Sequence, residues 1–307
     1  MNTGRLIIIG GPTAIGKTRL AVALAASIHG EIISADSRQI YRGMDIGTGK
    51  DIADYSVAGQ KIPYHLIDIK DAGYKYNIKE YYADFVKTYK QITERGRQAI
   101  LCGGSGLYIE TALRGNAYAA IPENPKLRSQ VDQLNSEELE QRLSEIDDKI
   151  GDFADFSTRK KQIRAIEMDE FLKSHPLPKR ESLDLEPIIF ILEMGREKVK
   201  KNIRTRLESR LESGMVEEVQ SLIDSGVSVE DLKYYGLEYK WITDYLEHTI
   251  TYDEMVEGLN IAIRQFAKRQ MTWFRRMEKQ GYTLHWIRAD QSLDRQLHQV
   301  QEMLQNQ

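Results

Sequence analysis

The run Gly-Pro-Thr-Ala-Ile-Gly-Lys-Thr at residues 11–18 constrains this 307-residue chain more than any other segment. It follows the apolar residues 6–9 and precedes a helical pattern over residues 18–28. A buried strand is therefore expected to lead through a glycine-rich turn into a helix. Such a turn aims successive backbone N–H groups and the positive end of the helix dipole at one anion. The motif predicts a diphosphate or triphosphate site built from Gly11, Pro12, Thr13, Ala14, Ile15, Gly16, Lys17 and Thr18. The motif alone does not specify the reaction.

Two side chains of this loop have distinct expected roles. Lys17 would neutralise phosphate oxygens, and the Thr18 hydroxyl would bind a magnesium ion, Mg²⁺. Thr18 is the metal ligand that the motif predicts.

Composition excludes several classes of protein. With 41% hydrophobic and 29% charged residues, the chain is typical of soluble globular proteins. Its single cysteine, Cys102, rules out an internal disulfide and a cysteine-built zinc site. The sequence has neither a secretory leader nor a stretch apolar enough to cross a membrane. We therefore expect a cytoplasmic protein, acting as a monomer and without membrane contact.

The order of apolar runs and helical patterns predicts an α/β fold. Strand-length apolar runs lie at residues 6–9, 31–34, 65–69 and 99–102, with helical patterns at 18–28, 78–94 and 106–113. This alternation is typical of a P-loop NTPase-like parallel sheet wrapped by helices. Two prolines within residues 122–125 end the alternation, and a charge-rich helical pattern fills residues 126–173. The run 187–192 then reads as a strand that rejoins the sheet. We predict a core of residues 1–125 and 186–307 with a helical C-terminal region, and an inserted helical module at 126–185.

Basic residues are clustered although the net charge is −3. The three clusters lie at residues 159–164, 196–210 and 264–279. They indicate either a localised surface for a polyanion or solvated helix faces with i,i+4 ion pairs. Composition leaves both interpretations open.

Further polar residues follow the predicted strands. Asp36 comes after the second strand and Ser105 follows a glycine-rich turn after residues 99–102, so both are expected in the crevice beside the phosphate loop. Asp36 there could bind metal, act as a general base or cap a helix. The glycine-rich segment 41–50 resembles a mobile loop near an anion, although ordinary loop chemistry explains it almost as well. Asp68 ends an apolar run, where an ATPase would carry its metal-binding acid, but the charge alone is weak evidence for that role.

These segments together resemble the bacterial tRNA dimethylallyltransferases. The resemblance rests on the 11–18 motif, on Asp-Ser-x-x-Ile-Tyr-x-Gly-Met-Asp-Ile-Gly-Thr at 36–48, and on shorter blocks at 66–69, 103–108, 164–167 and 267–273. The blocks follow the family's order, and the one at residues 36–48 is far more specific than the phosphate loop.

The resemblance implies transfer of a dimethylallyl group from dimethylallyl diphosphate to N6 of the adenosine just 3′ of the anticodon in tRNA. It implies catalytic roles for Asp36, Lys17, Thr18, Arg206 and Ser105, with Asp36 accepting the N6 proton and Arg206 facing the diphosphate. It also implies contact with the anticodon stem-loop of tRNA by the following residues: Asp36, Ser37, Arg38, Gln39, Ser105, Arg128, Lys160, Lys161, Arg164, Arg264, Lys268, Arg269 and Gln270.

The chain departs from the family pattern at several positions. Ile15 replaces the usual serine, Ser105 the usual threonine, and Gly49-Lys50-Asp51 the usual Ala-Lys-Pro. Three other functions remain open at this point: a phosphate-loop kinase of a small molecule, a prenyltransferase of free adenine nucleotides, and a non-catalytic tRNA-binding paralogue.

Overall fold

A six-stranded parallel sheet organises the larger part of the molecule. The computed structural model describes residues 5–57, 59–115, 117–147, 150, 156, 158–178 and 183–306. The chain divides into two compact units, the first comprising Met1–Arg114 with Leu183–Gln307 and the second Gly115–Ser182. The sheet belongs to the first unit, with strand order β5-β2-β6-β1-β7-β8. All of its neighbouring strands run parallel, as expected for an α/β fold.

In the first half of the first unit, strands and helices alternate along the chain. Its second half is mostly helical. The strands are β1 (Arg5–Gly10), β2 (Gly30–Ser34), the hairpin strands β3 (Ser56–Val57) and β4 (Gln60–Lys61), β5 (Tyr64–His65), β6 (Gln98–Gly103), β7 (Glu186–Glu193) and β8 (Leu284–Arg288). The helices of the first half are α1 (Lys17–Ile28), α2 (Ile78–Glu94) and α3 (Gly106–Arg114). Those of the second half are α7 (Arg196–Glu212), α8 (Met215–Asp224), α9 (Val229–Tyr235), α10 (Leu237–Leu246), α11 (Tyr252–Lys279) and α12 (Leu293–Gln305).

Apolar side chains cover both faces of the sheet. Along β1, Leu6 and Ile8 belong to one buried cluster, whereas Ile7 and Ile9 belong to the other. This alternation follows from the two-residue period of a strand, and helices cover both faces. β1 thus lies in the interior of the sheet, and its carboxyl end delivers the 11–18 motif to the sheet edge. Among the described residues, no helix is long and apolar enough to cross a membrane.

The predicted strand at 187–192 is confirmed: β7 pairs parallel with β1 and places Ile188 beside Ile7. The predicted strand at 65–69 is wrong beyond His65. Leu66 and Asp68 adopt φ values of 60° and 55°, which break an extended strand. At this turn the Asp68 N–H donates to the Gln39 carbonyl at 3.1 Å.

The second unit is helical where the structure describes it, with α4 (Pro125–Asp132), α5 (Ser136–Ser144) and α6 (Arg159–Ser174). The continuous helical pattern at 126–173 is therefore interrupted. Asn124 and Asn135 accept backbone N–H bonds as N-caps, so each starts a new helix. Part of the predicted pattern, at 148–149, 151–155 and 157, lies outside the described residues.

Candidate active site

The 11–18 motif forms a phosphate-loop backbone between β1 and α1. Ala14 and Gly16 adopt φ values of 59° and 90°, and α1 begins directly afterwards at Lys17. Gly16 is the N-cap residue and offers no side chain to the first-turn N–H groups. These donors therefore remain available to an anion, as the motif predicts. Ile15 is 5% exposed and packs in the apolar cluster around α1.

Lys17 is partly buried, and its side chain folds back onto this loop. Its Nζ donates to the Pro12 carbonyl at 2.5 Å. Burial lowers the pKa of Lys17 from 10.5 to about 8; the nearby Arg206 also lowers it, while Cys102 and Asp36 oppose the shift. Lys17, Arg206 and Asp36 are thus close enough to interact electrostatically, and the protein holds a cation where a bound anion would stabilise it.

Asp36 and Ser105 emerge side by side from neighbouring strands. The Ala35 N–H donates to the Cys102 carbonyl at 2.7 Å, and the Ser105 N–H donates to the Ala35 carbonyl at 3.3 Å. The Asp36 carboxylate accepts the Arg38 N–H at 2.8 Å, which fixes its orientation. The carboxyl ends of β1, β2 and β6 therefore bring the loop, a carboxylate and a hydroxyl to one edge of the sheet.

Gln270 connects two of these segments. Its Oε1 accepts the Thr13 N–H at 2.9 Å, and its Nε2 donates to the Gly104 carbonyl at 2.9 Å. The side chain is buried, and both ends of its amide bond within the chain. Gln270 on α11 therefore fixes the phosphate loop relative to the turn that carries Ser105. Its predicted contact with RNA stays a prediction.

The segment 41–50 is anchored rather than free, and its first anchor is Lys50. The side chain of Lys50 is fully buried, and its Nζ donates to the Tyr41 carbonyl at 2.5 Å and to Asp45 Oδ1 at 2.5 Å. A third bond joins it to the Asp68 carboxylate. Asp68 is therefore the ion-pair partner of a buried lysine.

Glu218 is the second anchor of this segment. Its carboxylate accepts the backbone N–H groups of Asp45 at 2.7 Å, Ile46 at 2.6 Å and Gly47 at 3.0 Å. The hydroxyl of Tyr239 donates to the same carboxylate at 2.7 Å. The segment does bind an anion, but that anion is a side chain of the protein.

Helix α7 brings Arg206 to the phosphate loop. Asn202, one turn earlier, donates from Nδ2 to the Ala14 carbonyl at 3.2 Å. Arg206 Nη2 donates to Asp51 Oδ2 at 2.6 Å. A small cavity beside the loop is lined by Thr13, Ala14, Arg206 and Arg210, together with Glu238 and four apolar side chains. Sequence reasoning singled out Arg206 but missed Asn202 and Arg210, although their four-residue spacing from Arg206 places all three on one helix face.

The remaining predicted RNA contacts differ in their surroundings. Lys268 and Arg269 are exposed on α11, with the Arg269 guanidinium 5.9 Å from the Phe266 ring centroid. Arg264 is partly buried on the same helix, and Ser37, Arg38 and Gln39 follow Asp36. Gln39 Nε2 donates to the Gly49 carbonyl at 3.1 Å, which ties this stretch to the anchored segment.

In the second unit, Arg128 and Arg164 both pair with the buried Glu167. The Arg128 Nε–Glu167 Oε1 distance is 2.9 Å, and Arg164 Nη2 also donates to the carbonyls of Tyr118 and Ile121. Lys160 and Lys161 are exposed on α6. The two arginines therefore stabilise the packing of this unit, and the two lysines are exposed on its surface.

No three His, Cys, Asp or Glu side chains converge on a possible metal site in the described part of the chain. Mg²⁺ rarely needs such a cage, because it takes one or two protein oxygens together with substrate phosphates. Thr18, in the first turn of α1 and partly exposed, supplies an oxygen of the right chemistry for that arrangement.

Comparison with known proteins gives consistent matches. A family model described as IPP transferase matches residues 39–277. A tRNA dimethylallyltransferase of Bacteroides fragilis is 50% identical over 299 residues, 97% of each chain. A tRNA dimethylallyltransferase of Parabacteroides distasonis is 48% identical over 307 residues, the whole of both chains.

Solved structures match over nearly the whole chain as well. The crystal structure of a tRNA isopentenylpyrophosphate transferase from Bacillus halodurans superposes with a TM-score of 0.72 at 30% identity, covering 99% of this chain and 96% of that one. A eukaryotic dimethylallyltransferase acting on tRNA matches with a TM-score of 0.78 at 18% identity, covering 99% of this chain and 80% of that one, which is a likeness of fold.

Proposed function

The chain belongs to the IPP transferase family, and on that premise we propose that it transfers a dimethylallyl group from dimethylallyl diphosphate to N6 of the adenosine 3′-adjacent to the anticodon in tRNA. The observation that carries the proposal is the meeting of the phosphate loop, Asp36 and Ser105 at one sheet edge. Alkylation of a weakly nucleophilic amine needs a proton acceptor beside the leaving group, and Asp36 supplies a carboxylate at this edge of the sheet.

The reaction exchanges one bond to carbon for another. The bond between the allylic C1 and the diphosphate oxygen breaks, and a bond between C1 and N6 forms. The N6 proton goes to the Asp36 carboxylate, and diphosphate leaves with the electron pair of the broken bond. Ser105 lies where its hydroxyl can orient the adenine, since its own N–H is bonded to the residue before Asp36.

Negative charge develops on the leaving group, so its stabilisation is the main task of the site. Lys17, the loop N–H groups and Arg206 are the positive groups available for that task. Thr18 would hold Mg²⁺ together with diphosphate oxygens, and the ion would supply further charge neutralisation there.

The target base must leave its stack to reach this edge of the sheet, as in other enzymes that modify a base. Exposed cations then serve to hold the RNA backbone, and Lys160, Lys161, Lys268 and Arg269 are the exposed candidates among those predicted. We place this reaction in the cytoplasm, with its tRNA substrate.

The proposal is tested with labelled dimethylallyl diphosphate and unmodified total tRNA, followed by nucleoside analysis. Label in N6-dimethylallyladenosine next to the anticodon is expected, and Asp36→Asn is expected to abolish its formation while diphosphate binding persists. Tight ATP binding without a response to dimethylallyl diphosphate would identify a kinase instead. Transfer to AMP but not to tRNA would identify a nucleotide prenyltransferase, and tRNA binding without transfer would identify the non-catalytic paralogue.

A further inference from the structure

A pair of guanidinium groups on α7 shares one carboxylate beside the phosphate loop. Arg206 and Arg210 are one helical turn apart, so they project from the same face of α7. Asp51 Oδ2 lies 2.6 Å from Arg206 Nη2 and 3.8 Å from Arg210 Nη2. Only the first distance is that of a hydrogen bond.

Arg210 is unusual for an arginine. Its side chain is 14% exposed, and its buried Nη2 makes no hydrogen bond to any described residue. Burial, and after it the charge of Arg206, lower the pKa of Arg210 from 12.5 to about 10. A buried guanidinium nitrogen that makes no hydrogen bond costs free energy, and a ligand that accepts a hydrogen bond from Nη2 would remove that cost.

The neighbouring loop is shaped around both guanidinium groups. A Cβ added to Gly49 would lie 1.5 Å from Arg210 Nη2 and 2.6 Å from Arg206 Nη2. Gly49 also has a φ of 63°, so a larger residue would be strained as well as obstructed. The backbone at residue 49 therefore encloses the two arginines closely.

The same arginines line the cavity formed by Thr13 and Ala14 of the phosphate loop. Glu238 lines it too, and burial raises the pKa of its carboxyl. The cavity thus places two guanidinium groups beside Thr13 and Ala14 of the phosphate loop.

We propose that Arg210 is a second guanidinium ligand of the diphosphate, and that Asp51 occupies the Arg206–Arg210 pair in the free protein until the terminal phosphate displaces it. This inference rests on the proposed function, because the ligand is the diphosphate of that reaction. Asp51 is a side chain of the protein in the position of a phosphate anion, and it competes with the substrate.

The simpler alternative is that Arg210 only supports Asp51. In that case Arg210 would affect the diphosphate solely through Asp51, and removing Asp51 would remove its effect. The two explanations therefore differ in a double-mutant cycle.

The experiment measures binding of dimethylallyl diphosphate without tRNA by isothermal titration, using the full chain. Arg210→Gln should weaken binding about tenfold or more, the usual effect of losing a charge-assisted hydrogen bond. Asp51→Asn should tighten binding several-fold, because a competing anion is gone. Arg210→Gln should still weaken binding about tenfold in the Asp51→Asn background.

Arg204→Gln is the matched control on the same helix, since Arg204 pairs with Glu208 and Glu257 instead of facing the loop. It should leave affinity within twofold. An effect of Arg210→Gln that disappears in the Asp51→Asn background, or that equals the effect of Arg204→Gln, would overturn the inference. Thermal unfolding of each variant identifies any that is not folded; Arg210→Lys then replaces Arg210→Gln and should retain part of the affinity.

The same titrations separate this inference from the proposed function. Wild-type protein that does not bind dimethylallyl diphosphate would refute the proposed function. Wild-type protein that binds it, with Arg210→Gln unchanged, would refute only the role of Arg210.

Discussion

Raising the pH should weaken diphosphate binding mainly through one residue, Lys17. Burial lowers the pKa of Lys17 from 10.5 to about 8, so the ammonium loses its proton within an accessible range. Its protonated fraction falls from about nine-tenths at pH 7 to about three-hundredths at pH 9.5. A bound diphosphate favours the charged form, so binding above pH 8 takes up a proton.

The size of the effect follows from those fractions. If the charged form binds and the neutral form does not, affinity falls about 30-fold between pH 7 and pH 9.5 and is nearly constant below pH 7. The second ionisation of a phosphate monoester lies near pH 6, so the ligand itself contributes little over this interval.

Isothermal titration with dimethylallyl diphosphate in two buffers of different ionisation enthalpy measures the proton uptake directly. About 0.9 proton per site is expected at pH 9 and about 0.1 at pH 7. Lys17→Arg is the matched control, because its guanidinium stays charged throughout, and its affinity should fall less than about twofold in this range. A wild-type affinity that is flat from pH 7 to 9.5, or a Lys17→Arg variant with the wild-type profile, would refute the reasoning.

Three further perturbations test other parts of the site. Gln270→Ala removes both hydrogen bonds that join Thr13 to Gly104. The free energy of unfolding should therefore drop by about 2 kcal/mol, and diphosphate affinity should fall with it. A chemical denaturation curve that matches wild type would contradict this. Glu218→Ala leaves three backbone N–H groups without their acceptor, and a loss of about 2 kcal/mol is expected by the same measurement, with Glu218→Gln less affected. Replacing Lys160 and Lys161 with alanine should reduce the slope of log affinity for tRNA against log salt by about 1 to 2, and an unchanged slope would exclude both lysines from the RNA contact.

The sequence predicted those parts of the fold that local pattern determines. The helical pattern at 78–94 corresponds to Ile78–Glu94, where Asn77 and Glu80 form a capping box visible in the sequence. The run 187–192 was long and apolar enough to indicate a central strand. By contrast, β8 at Leu284–Arg288 carries His285 and Arg288 among its five residues, as an edge strand can, so its pattern was too weak to identify.

Contacts between residues far apart in the sequence determine the features of the site that local pattern did not predict. The local partner of Lys50, Asp45, does not by itself indicate that the ammonium is buried, and its other carboxylate partner, Asp68, lies 18 residues away. Glu218 is likewise separated from the 45–47 backbone by more than 170 residues. Local sequence predicted a glycine-rich loop near an anion, and only the folded chain identifies that anion as Glu218.

The charges of the site explain how it favours a departing diphosphate. Holding Lys17 at a pKa of about 8 instead of 10.5 destabilises the free protein by about 3 kcal/mol at pH 7, since the unfolded chain retains the proton more readily. This cost is present in full below pH 8 and is relieved as the pH rises toward 10.5. A bound diphosphate offsets the same cost at neutral pH, because it compensates the desolvated ammonium. The offset grows as negative charge accumulates on the leaving oxygen, and so it is larger in the transition state than in the ground state. In the proposed reaction, a lysine with this lowered pKa therefore serves cleavage of the carbon–oxygen bond better than a fully solvated one would, and the stability lost in the free protein is the consequence of that arrangement.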